Sequence, residues 1–149
     1  MKGKLLLLLI LLSSPLAYAK MDVMVHSPYA RATPPTAVTS AVFGEIVNRS
    51  DTDRYIVSAT TNAAGKVELH DVITEGDVMK MRQVTEFKVP AKGKLELKPG
   101  SFHIMLFTLP KPLSEGEEVE VQVTFKNGEQ LTFKAPVKKV MSGMKMDHH

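Results

Sequence analysis

The sequence predicts an all-β chain, an antiparallel β-sandwich or barrel. From Ala37 onward, short runs rich in Val, Phe, Thr and Leu alternate with clusters of turn residues. Seven or eight such runs follow one another at the spacing of a sandwich. No segment of this region keeps a helical period long enough to cover a sheet, and there is no internal repeat.

The elements follow in order. Lys2 and Lys4 precede an unbroken apolar run over 5–12, closed by Ser13, Ser14 and Pro15 and by Ala17-Tyr18-Ala19. A positive start, a short apolar stretch and an A-x-A site read as a secretory signal peptide over 1–19, cleaved after Ala19. The run is too short for a membrane span. After the stretch 21–32, Thr33-Pro34-Pro35-Thr36 is a turn signal. Strands are expected over 38–47, 55–60, 67–73 and 78–84, around Leu95 and Leu97, and over 102–109, 119–125 and 130–134. Lys126-Asn127-Gly128-Glu129 is the strongest hairpin signal. Beyond Lys139 the alternation stops. The expected organisation is a leader over 1–19, one domain over 20–139 and a disordered Met/His tail over 140–149.

Composition narrows the function. Without Lys2 and Lys4 the formal charge of +3 falls to +1, so the basic character comes in part from the leader. No dense Lys/Arg cluster remains and aromatics are few, which argues against nucleic-acid binding. No other apolar run approaches membrane-spanning length, so no insertion is expected after cleavage. The chain has no Cys and 9 Met. That excludes disulfides, thiol nucleophiles, Cys-based zinc sites and blue-copper electron transfer. Thioether is the only sulfur ligand left. There is no G-x-S-x-G, H-E-x-x-H or phosphate loop, and no enzymatic activity is expected.

Two His/Met pairs stand out. With a turn centred on Glu75-Gly76, His70 faces Met81 across a hairpin, and Met79 shares that face. His103 and Met105 are two residues apart in a strand and point to one side. Together they offer two imidazoles and two thioethers. Thioether is soft and neutral and favours Cu(I), imidazole binds copper in either oxidation state, and hard ions want carboxylates. Two other readings lead elsewhere. A β-sandwich interaction module would bury the four residues and spread them over both sheets. A copper redox enzyme would need the harder ligands that suit Cu(II).

The spacing His70, Met81, His103, Met105 is H-x10-M-x21-H-x-M. With Ala30-Arg31-Ala32-Thr33-Pro34-Pro35, Val67-Glu68-Leu69-His70, Gly76-Asp77-Val78-Met79-Lys80-Met81-Arg82 and Leu97-Lys98-Pro99-Gly100-Ser101-Phe102-His103-Ile104-Met105-Leu106, the chain resembles the PCuAC-type periplasmic copper chaperone family over about residues 24 to 135. The resemblance implies a cupredoxin-like Greek-key β-sandwich in which His70, Met81, His103 and Met105 match four Cu(I) ligands. Met79 lies beside them. Asp71 and Val72 depart from the Glu and Met that many members carry there. It also implies a monomer that passes copper by ligand exchange to an acceptor, such as the copper subunit of cytochrome c oxidase or another copper chaperone. Copper storage or detoxification is the alternative. Met141, Met144, Met146, His148 and His149 resemble Met/His-rich extensions that hold a second copper, often Cu(II). His26, near Met21 and Met24, has no fixed spacing to these residues and reads as incidental.

Overall fold

Alternation of apolar and polar residues builds ten strands in a computed structural model that describes residue 3 and residues 22–140. The strands are β1 (Val23–Arg31), β2 (Ser40–Asn48), β3 (Arg54–Thr61), β4 (Lys66–Glu75), β5 (Val78–Gln83), β6 (Phe87–Val89), β7 (Gly93–Leu97), β8 (His103–Phe107), β9 (Glu118–Phe125) and β10 (Gln130–Lys138). Among the described residues there is no helix. In β9 the residues Val119, Val121, Val123 and Phe125 are buried while Glu118 and Glu120 are exposed, the period of two of a strand with one face on a core.

The strands pair in the order β5-β4-β8-β2-β1-β10-β9-β3-β6, with β7 also on β2. Strand β2 shares one edge between two partners: Ser40 to Val42 pair with β8, and Gly44 to Asn48 with β7. One cluster holds Val42, Leu69 and Ile104 from one half of this path and Ile56, Val121 and Val123 from the other. The two halves thus face each other across a single core, as in a sandwich. Each fully buried Val or Ile stabilises by about 1.5–3 kcal/mol.

Three features depart from the sequence expectation. Strands β1 and β6 were not foreseen. In β1 the alternation breaks where the register shifts between His26 and Tyr29, with Ser27 at φ 50° and Pro28 unable to donate. Gly44 accommodates this bulge: at φ 148° it faces Pro28, whose Cα would lie 3.0 Å from any added Cβ. Strand β6 is only three residues long, too short to show a period. The pairing is also not wholly antiparallel. Strands β1 and β10 run parallel at Ala30–Val137 and Arg31–Lys138, which joins the two halves.

The third departure is the β4–β5 register. Glu75 pairs with Val78, so the loop is Gly76-Asp77 rather than Glu75-Gly76. A two-residue loop of this kind needs positive φ at its first position, and Gly76 supplies φ 63° there. His70 consequently faces Gln83, and Met81 faces Val72. The expected direct pair His70–Met81 is not formed. Because the shift is by two residues, Met81 keeps the face of His70 and becomes its diagonal neighbour. Apart from Gly3 and Val140, the leader and the tail, with Met141, Met144, Met146, His148 and His149, lie outside the described residues.

Candidate metal centre

The core claims one face of β4, β8 and β2 through Leu69, Ile104, Leu106 and Val42. Alternation sends Glu68, His70, Val72, His103, Met105, Ala41 and Phe43 to the opposite face. The register lines them up across strands: His70 pairs with His103, Glu68 with Met105, and Ala41 with Met105. Ala41 and Phe43 are buried although they stand apart from the core cluster. This outer face therefore carries its own small apolar patch.

Both histidines are withdrawn from solvent, His103 at 4% exposure and His70 at 9%. Their ring centroids are 5.5 Å apart. Phe43 lies 6.3 Å from the His103 ring and Phe107 5.8 Å from the His70 ring. Each imidazole has one nitrogen engaged and one without a partner. His103 Nδ1 donates to the Ser101 carbonyl at 2.8 Å, and its buried Nε2 has no partner. His70 Nε2 is 3.0 Å from Glu68 Oε1, and its buried Nδ1 has no partner. A hydrogen bond on one ring nitrogen fixes the tautomer and turns the other nitrogen's lone pair outward, the arrangement that orients imidazole ligands.

The electrostatics favour a neutral His103 ring. Burial pushes the His103 imidazole below its usual value. Its hydrogen bond to Ser101 opposes this, and the nearby Arg31 cation adds to it. The hydrogen bond from His70, with Lys66 at 3.3 Å, holds the Glu68 carboxyl below the usual range. On the other face of β4, Asp71 is held low by a two-pronged hydrogen bond from Arg82 at 2.9 and 3.0 Å.

Beside His103 a cavity of about 340 Å³ opens to the surface, lined among others by Arg31, Phe43, Met79, Met81, His103 and Met105. Three thioethers and one imidazole thus share one opening. His70 is not in its lining; it stands beside His103 as its partner on the neighbouring strand. Met79 and Met81 are exposed at 62% and 61%, and the Met79 methyl reaches within 3.8 Å of where a Cβ on Gly100 would sit, across the mouth. Among the described residues no group of three or more His, Asp or Glu is placed to hold a metal. The nitrogen and sulfur donors of this face, imidazole and thioether, fit a soft ion and not a hard one. His26 is elsewhere, on β1 opposite Glu45 of β2. Glu68, Arg31 and the Ser101 carbonyl were missed as parts of the site. The Glu68-x-His70 alternation was the available signal for the first of these.

The family described as "Putative lipoprotein LpqE-like" matches residues 23–137. The chain belongs to the LpqE-like family. A relative from Leifsonia xyli subsp. xyli, "Putative lipoprotein Lxx21020", is 34% identical over 100 residues, covering 66% of this chain and 60% of that one. The chain thus spans about three-fifths of that relative's length. Among solved structures, this LpqE-like chain is similar to the solution structure of CuI-DR1885 from Deinococcus radiodurans, with TM-score 0.62 and 32% identity over 77% of this chain and 78% of the other. It shares its fold with the copper-bound PCuAC domain from PmoF2, with TM-score 0.68 and 17% identity over 80% and 94% of the two chains. The all-β fold of the LpqE-like chain is that of PCuAC domains. Among its described residues no helix is long and apolar enough to cross a membrane.

Proposed function

We propose that this LpqE-like chain is an extracytoplasmic copper chaperone that binds one Cu(I) through His70, Met81, His103 and Met105 and hands it on by ligand exchange. The observation that carries this reading is the pair of buried imidazoles, each anchored at one nitrogen and bare at the other, beside a cavity walled by thioethers. The likeness to CuI-DR1885 supports copper as the cargo. His103 Nε2 and His70 Nδ1 donate from the rigid strands β8 and β4. Met81 and Met105 donate sulfur, and the exposed Met79 stands at the mouth as a spare. Thioethers are neutral and exchange readily, so an acceptor with thiolate or additional ligands takes the ion stepwise, entering from the side of Met79 and Met81.

The reading includes export by the leader over 1–19 to the periplasm and an acceptor such as the binuclear copper centre of cytochrome c oxidase. A second copper, Cu(II), would be held by Met141, Met144, Met146, His148 and His149. The full mature chain titrated with Cu(I) under reducing conditions tests this, with the His103 and His70 ring signals followed by NMR. One equivalent shifting both rings is the expected result. Binding that leaves both rings unmoved would refute it.

A further inference from the structure

Arg31 is the one cavity-lining residue that carries charge, and the proposed binding of Cu(I) gives it no task. Its guanidinium lies 5.4 Å from the centroid of the Phe43 ring, which in turn is 6.3 Å from the His103 ring. Its Nε is buried and without a hydrogen-bond partner. Among the described residues Arg31 enters no ion pair. The nearby carboxylates are otherwise engaged: Glu68 with His70 and Lys66, and Asp71 with Arg82 on the opposite face of the sheet. Lys138, the backbone partner of Arg31 on β10, adds a second cation over Tyr29. The cation–π contact with Phe43 attracts the guanidinium without neutralising it.

We infer that Arg31 is a charge-selecting residue, whose uncompensated cation beside the donors makes the cavity admit monovalent soft ions and reject divalent ones. The inference rests on the proposed His70, Met81, His103, Met105 site and deepens it. Imidazole and thioether bring no charge, so nothing in the donor set offsets the ion. Every unit of charge on the ion is opposed by Arg31, and a divalent ion meets twice the opposition of a monovalent one. Donor softness alone selects soft over hard. It does not separate soft ions of different charge, and Arg31 does.

Ag(I) and Cd(II) are suitable probes because both are closed-shell and diamagnetic and they differ by one charge. Dissociation constants are measured on the full mature chain, reading the methyl signals of Met81 and Met105 so that only this cavity is followed. Arg31→Gln is expected to tighten Cd(II) relative to Ag(I) by about tenfold, the size of a unit-charge interaction across a partly solvated protein region. Arg31→Lys, which keeps the charge and gives up the guanidinium, should hold the wild-type ratio. An unchanged ratio in Arg31→Gln, or an equal shift in both variants, would overturn the inference. Failure of wild type to bind Ag(I) at these methionines would instead overturn the binding reading on which it depends.

Discussion

His70 and His103 are cross-strand partners whose ring centroids lie 5.5 Å apart, each with one buried nitrogen free of any partner. Two imidazoles placed side by side on the outer face of a sheet do not stabilise a core, and orphaned buried acceptors carry a cost of about 1–3 kcal/mol each. The arrangement makes sense as two donors held ready for a third body.

The anchor of His70 is Glu68, at 3.0 Å. Glu68→Gln replaces a charged acceptor by a neutral amide and weakens the hold on the ring. Outer anchors of this kind are worth about 10–100-fold in metal affinity. Competition titration with a Cu(I) chelator should show a loss in that range, with the fold unaltered by circular dichroism. An affinity equal to wild type would mean that Glu68 does not position the ring.

In the metal-free protein, burial holds the His103 imidazole below its usual value. The unfolded chain takes up the proton near pH ~6.5, the native chain only at lower pH. Between these two values the unfolded state binds more protons, so stability falls as pH drops through that window. Above the window His103 contributes no slope. Thermal melts from about pH 7.5 down to about pH 5 should show this decline, reduced in His103→Gln. Identical slopes in the two proteins would remove His103 as its source.

Ile104 sits between His103 and Met105 and points the other way, fully buried in the core. Ile104→Ala should cost about 2–5 kcal/mol in denaturant unfolding, since it leaves a cavity. Met81→Ala, at a side chain 61% exposed, should change stability by no more than about 0.5 kcal/mol. A large loss in the Met81 variant would make that residue a packing element instead of a free donor.

Much of this was legible in the sequence. Alternation located β2 to β5 and β7 to β10 to within a few residues, and the i, i+2 spacing put His103 and Met105 on one face of β8. The β4–β5 register was missed because it depends on which loop residue takes positive φ, and Gly76 can be read as first or second. Strand β1 was hidden by its own bulge at Ser27-Pro28. Arg31 and Glu68 look like ordinary surface charges in the sequence. Their importance comes from the folded sheet: Glu68 reaches His70 along β4, while Arg31 arrives from β1, two strands away from His103.

The central claim is that thioethers on this outer face hold the ion. It is tested most directly by the Cu(I) affinity of the Met81→Ala/Met105→Ala chain against wild type, measured by chelator competition. Loss of both sulfurs should weaken binding by at least about a hundredfold, more than the removal of an outer anchor. Unchanged affinity in the double variant would contradict the account.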